Sequence, residues 1–128
     1  MPRPQRQHGF TLLELLFVLV IVALLASLAA PMLTGSIDQA REAALKQDLR
    51  VMRQALDDYQ ADHGRHPSEL NELVEKRYLR SLPVEPITQR KDGWNIVRTE
   101  GERGGAGVTD VRSGSEERAR DGSYYRDW

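Results

Sequence analysis

The chain begins polar and basic and then becomes apolar without interruption. Residues 1–9 carry Arg3, Arg6 and His8, and Pro2 and Pro4 oppose helix there. From Phe10 the pattern changes: residues 10–33, 24 in all, contain no Lys or Arg and are mostly Leu, Val, Ile, Phe and Ala. As a helix this run reaches about 36 Å, enough for a hydrocarbon core of about 30 Å. Positive charge precedes it, and the next basic residue is Arg41. That asymmetry predicts a cytoplasmic N-terminus with the remainder outside.

Beyond the run the period becomes that of an amphipathic helix. Pro31 predicts a kink or loosening over residues 27–35, with Gly35 adding freedom and Ser36 or Asp38 capping a renewed helix. Leu45, Leu49, Met52, Leu56 and Tyr59 recur at spacings of four and three, with Ala40 and Ala44 before them, and charges occupy the other faces. Gly64 suits a left-handed C-terminal cap. Ser68 is placed to cap a second helix over residues 69–77, with Leu70, Leu73 and Val74 inward. Leu82-Pro83-Val84-Glu85-Pro86 predicts an extended connection. Residues 93–99 and 107–112 predict a strand pair joined by the glycine-rich stretch 100–107. The polar tail 113–128 ends in Tyr124, Tyr125 and Trp128, aromatics expected to fold back onto the sheet or the long helix. The expected class is α+β: a long N-terminal helix, membrane-spanning in its first half, packed on a small globular domain with a short helix and a small antiparallel sheet.

Composition narrows the function. The chain of 128 residues has a formal charge of −1, and without Arg3 and Arg6 it carries −3. No phosphate-neutralising binder of nucleic acid is expected from that balance. The sequence has no cysteine, which removes thiolate metal sites, cysteine nucleophiles and disulfides together. Some ninety residues remain for a soluble domain, enough for a modest core. That core needs support from the long helix, from neighbours or from an ion.

Three readings fit the N-terminal segment. A secretory signal peptide has a shorter apolar stretch, although Ala26-Ser27-Leu28 and Ala29-Ala30 imitate its cleavage site. A plain signal anchor explains length and orientation. Neither explains Glu14, the only ionisable side chain between His8 and Asp38, whose insertion costs about 2.5–3.5 kcal/mol unless it finds a partner or reaches the headgroups.

Gly9-Phe10-Thr11-Leu12-Leu13-Glu14 resembles the prepilin peptidase site of type IV pilins and type II secretion pseudopilins. The resemblance implies cleavage after Gly9, N-methylation of Phe10, and assembly roles for Thr11, Glu14 and Pro31. In a bundle of parallel helices, Glu14 of one subunit would meet the Phe10 amine of another, or its own. Two costly charges then offset each other and fix axial register. Tyr59-Gln60-Ala61-Asp62-His63-Gly64-Arg65-His66-Pro67 resembles the Tyr-x-x-Asp-Asn-Gly-x-Tyr-Pro stretch of the major pseudopilins, departing at His63 and His66. Leu82-Pro83-Val84-Glu85-Pro86 resembles their Leu-Pro-x-Asp-Pro turn, with Ile87 where a Trp usually follows. Type IV pilins commonly close a C-terminal loop by a disulfide, so the absence of cysteine favours the pseudopilins. The likeness covers residues 9–35 and 56–86 and fades after 100.

These resemblances imply a cleaved leader over 1–9, a transmembrane and assembly half-helix over 10–33, and a periplasmic domain over 34–128. They imply a single-pass inner-membrane subunit of a pseudopilus that drives protein export, with type IV or competence pilin as the alternative. The implied partners are further copies and other pseudopilins, the prepilin peptidase, an inner-membrane platform with its ATPase, and lipid before assembly. Major pseudopilins also hold calcium in a C-terminal loop. Asp110, Glu116, Glu117, Asp121 and Asp127 offer hard oxygens there, Asp121 and Asp127 best. The interleaved Arg112, Arg118, Arg120 and Arg126 offer competing neutralisation. His63 and His66 are three apart, but Gly64 and Pro67 break a helical ligand pair and favour a surface turn. No catalytic constellation or phosphate-binding loop stands out, so no enzyme is expected.

Overall fold

A computed structural model describes residues 1–5, 8–100 and 106–128. Arg6 and most of the expected glycine-rich connection, including Gly101, Gly104 and Gly105, lie outside the described residues. Two compact units are present, Met1–Ile37 and Asp38–Trp128. The helix α1, Leu12–His63, contributes to both.

In the first unit every described residue is exposed. The helix runs through Pro31 without a break, which corrects the expected renewed helix capped by Ser36 or Asp38. A proline removes one amide donor, and nearby hydroxyls bond other carbonyls of the same stretch. Ser27 Oγ donates to the Leu24 carbonyl, Thr34 Oγ1 to Pro31 and Ser36 Oγ to Met32. In an apolar run such hydroxyls satisfy carbonyls that water does not reach. Ser36 therefore bonds back along the helix and caps nothing.

In the second unit the predicted stripe is the core. Leu45, Leu49, Met52, Leu56 and Tyr59 are buried together with Ala55. They meet Leu70, Leu73, Leu79, Trp94, Val108, Val111, Ala119 and Tyr125. Burying each large side chain contributes about 1.5–3 kcal/mol. Ala40 and Ala44 stay exposed, so the stripe begins at Leu45. Gly64 ends α1 at φ 66°, its amide bonded to the Gln60 carbonyl at 2.8 Å.

The second helix, α2, spans Leu70–Glu75 and lacks a Ser68 side-chain cap. Glu72 reaches back instead and accepts the Ser68 amide at 2.7 Å. At the far end Arg77 takes φ 64°; its amide bonds Val74 while that of Tyr78 bonds Leu73. This is a Schellman closure built on arginine where glycine is usual.

The strands are β1, Trp94–Glu100, and β2, Ala106–Ser113, paired antiparallel. Val97 faces Asp110 and Arg98 faces Val108, so Thr109 is an extra residue on β2. That bulge shifts the alternation by one and lets Val108 and Val111, three apart, both enter the core. Gly107 lies against His66, where a Cβ would come within 2.6 Å of the His66 Cβ. The same close approach carries the bond from the Val108 amide to the Pro67 carbonyl. The tail folds back as expected: Tyr125 opens a 3₁₀ turn, Tyr125–Asp127, is buried, and meets Trp128 edge-on at 5.0 Å.

Candidate functional site

At the N-terminus, Thr11 starts α1. Its Oγ1 accepts the Glu14 amide at 3.2 Å and its carbonyl accepts the Leu15 amide at 3.1 Å. Thr11-Leu12-Leu13-Glu14 is thus an N-cap followed three residues later by glutamate, with that carboxylate in the turn where the helix dipole favours it. The Thr-x-x-Glu spacing is a sequence signal of a helix start. Phe10 is 78% exposed, and a Cβ at Gly9 would meet nothing within 4 Å. The fold itself makes no demand for glycine there. Among the described residues the Glu14 carboxylate has no hydrogen bond or ion pair.

The connection after α2 hides a carboxylate that no local sequence signal marks as buried. Glu85 is fully buried and accepts the Ile87 and Thr88 amides and, at 3.0 Å, the Ser113 hydroxyl. It fastens the proline-flanked turn to the end of β2. Beside it burial raises the Asp48 pKa, and Glu85 raises it further. Trp94 Nε1 donates to the Pro83 carbonyl at 2.8 Å and closes the other side of the turn.

The C-terminal segment is held by two side chains of α1. Glu42 Oε1 accepts the Arg120 amide and the Tyr125 phenol, both at 2.9 Å. Burial and then the Glu42 bond push the Tyr125 pKa up to about 12. Arg53 donates to Asp110 Oδ1 at 2.9 Å, to the Val111 carbonyl at 3.1 Å and to the Trp128 carbonyl at 2.8 Å.

The candidate calcium donors are not gathered. Asp121 Oδ1 accepts the amide and hydroxyl of its own neighbour Ser123, at 2.9 and 2.6 Å. Asp110 is paired with Arg53, and Asp127 is exposed. Among the described residues no three His, Asp or Glu side chains assemble around a common point. His63 stacks on Tyr59 with ring centroids 4.1 Å apart, and the half-buried His66 packs beside Gly107. Both serve the turn.

Comparison with known proteins follows this division. A profile described as the prokaryotic N-terminal methylation motif matches residues 4–30. Another, described as Type II secretion system (T2SS), protein G, matches residues 32–126. The chain belongs to the protein G family. It is 38% identical over 92 residues to the type II secretion system core protein G of Klebsiella michiganensis, covering 72% of this chain and 65% of that one. The same-named protein of Klebsiella pneumoniae is 39% identical over 98 residues, covering 64% and 70%. That of Dickeya chrysanthemi is 38% identical over 93 residues, covering 70% and 59%. The matches thus span about two-thirds of the length of these protein G relatives. No solved structure matches.

Protein G members are non-catalytic structural subunits. Among the described residues one helix, α1, is long and apolar enough to cross a membrane, and none of its most apolar stretch is buried. This member is a single-pass inner-membrane protein with a cytoplasmic N-terminus and a periplasmic C-terminal domain.

Proposed function

We propose that the chain is a structural subunit of a periplasmic pseudopilus that drives protein export through a type II secretion system. The observation that carries this is the exposed apolar helix directly behind Gly9-Phe10, whose one charged residue before Asp38 is Glu14. Phe10 is 78% exposed, Leu12 87%, Leu16 57% and Leu25 63%. Surface of that kind must be covered. Lipid covers it before assembly, and the helices of other copies and of other pseudopilins cover it afterwards.

The sequence of events follows from the residues. A prepilin peptidase removes residues 1–9, and methylation of the new Phe10 amine keeps it basic. Thr11 holds the first turn of α1, so the amine and the Glu14 carboxylate sit at one end of the helix. In the bundle these charges pair, and the pairing sets the axial register of each added subunit. An inner-membrane platform with its ATPase supplies the work of addition. The periplasmic domains form the outside of the growing rod, which pushes folded cargo outward. Nucleic acid plays no part.

A strain lacking this gene tests the reading. It should retain exoproteins in the periplasm and export them again when the gene is restored. Normal export combined with lost DNA uptake or adhesion would instead make the chain a competence or type IV pilin.

A further inference from the structure

The C-terminal segment needs a fastening, because residues 114–122 contribute no large apolar side chain to the core. An ion is one solution. The chain's own side chains point to another. Glu42 and Arg53 lie about three helical turns apart and therefore on one face of α1. Glu42 grips the segment at Arg120 and Tyr125, and Arg53 grips it at Trp128 while also holding Asp110 and Val111 of β2. Two of the five candidate carboxylates are already engaged, Asp110 by Arg53 and Asp121 by Ser123, and the Val111 and Trp128 carbonyls accept from the same guanidinium. Positive charge is also already in place. The Arg53 guanidinium pairs with Asp110, and the Lys46 ammonium sits 4.8 Å over the Trp128 ring. After its bonds from Ser123, the nearby Lys46 charge helps to hold the Asp121 pKa down. A divalent ion here would have to displace a guanidinium and approach an ammonium, at a Coulombic cost that grows with burial.

We infer that Glu42 and Arg53 clamp the C-terminal segment directly and replace an ion there, so that this chain is equally stable with and without calcium. The clamp spans three separate stretches of sequence through one guanidinium and one carboxylate. Charge-assisted bonds of this kind are the stronger class of hydrogen bond. The segment carries its own probes, since Arg118, Arg120 and Arg126 are trypsin sites and Trp128 and Tyr125 can sensitise bound terbium.

The test uses the full chain in detergent. Without any substitution, millimolar calcium should leave the melting temperature where chelator leaves it, and terbium should give no saturable luminescence. A calcium-dependent rise in melting temperature, or saturable terbium binding reversed by calcium, would overturn the inference. Limited trypsinolysis then reads the clamp itself. Arg53→Gln and Glu42→Gln should each speed cleavage at Arg118 and Arg120 by about tenfold through more frequent opening of the segment, equally with and without calcium. Arg53→Lys, which keeps the charge but loses the fork, should fall between. Cleavage of both glutamine variants at the unsubstituted rate would refute the clamp. Should either variant fail to fold, the calcium and terbium measurements on the unsubstituted chain still decide.

Discussion

The Tyr59 phenol donates to Glu72 at 2.6 Å, fastening the last turns of α1 to α2. Glu72 also receives Arg65 at 3.1 Å and the Ser68 amide at 2.7 Å. These donors, Tyr59 foremost, lower its pKa from 4.5 to about 2, while burial and the same bond raise that of Tyr59. A carboxyl group with a depressed folded-state pKa adds stability above its unfolded value and loses it as pH falls toward the folded one. Glu72 therefore contributes an acid-labile increment between about pH 4.5 and 2. Urea titrations of the detergent-solubilised chain across that range should show a smaller fall in stability for Glu72→Gln than for the unsubstituted protein. An unchanged acid slope in the variant would remove Glu72 from the explanation.

Glu85 should prove the most sensitive polar residue of the periplasmic domain. Glu85→Ala leaves two amides and the Ser113 hydroxyl without their acceptor in a buried site. Such losses cost about 1–3 kcal/mol, a drop of roughly 5–20 °C in melting temperature for a domain of this size. Glu85→Gln keeps one acceptor oxygen and should lose less. Calorimetry of the three proteins gives the order directly, and equal melting temperatures would show that the turn finds other partners.

Much of this was legible in the sequence where one rule acted alone. The heptad-like stripe from Leu45 to Tyr59 has no competing signal, and neither has Gly64 as a left-handed cap. Rules failed where tertiary contacts supplied the missing part. Period-two alternation cannot place Val108 and Val111 on one face, because the bulge at Thr109 is a property of the pair of strands. Glutamate reads as exposed, and only the amides of its own turn and Ser113 from β2 explain why Glu85 is buried. Arg77 occupies a position where glycine would be expected, held there by the Schellman bonds around it. At the N-terminus, Gly9, Phe10 and Glu14 make almost no contact with the rest of their own chain. The sequence could flag them only through resemblance, since their proposed chemistry belongs to a peptidase and an assembled bundle.

Gly9 separates folding from processing. A Cβ there meets no atom within 4 Å, so Gly9→Val should leave membrane insertion and the periplasmic domain unchanged. On the proposed processing, the branched side chain should nevertheless block cleavage before Phe10. Intact-mass measurement should find the unsubstituted protein beginning at methylated Phe10 and the variant still carrying residues 1–9. Cleavage of the variant, or a mature terminus near Ala30 in the unsubstituted protein, would contradict the proposed leader.

Glu14 connects this chemistry to function most directly. Its carboxylate sits in the first turn of α1, where the dipole supports it by about 0.3–1 kcal/mol. Insertion of a charge costs more than that, so the proposed pairing in the bundle must supply the difference. Glu14→Ala removes the insertion cost and keeps the Thr11 cap, and the variant should enter the membrane and be cleaved normally. It leaves the Phe10 amine without a counter-charge in hydrocarbon, so subunits should add out of register and filaments should be few. Glu14→Gln keeps shape and hydrogen bonding without charge and should be nearly as poor. The measurement is sheared-filament yield divided by the amount of inserted, cleaved subunit, which isolates assembly from earlier steps. A normal ratio for Glu14→Ala would refute the pairing. A low ratio in both variants, partly restored when Asp is placed at this position, would assign the loss to the missing charge.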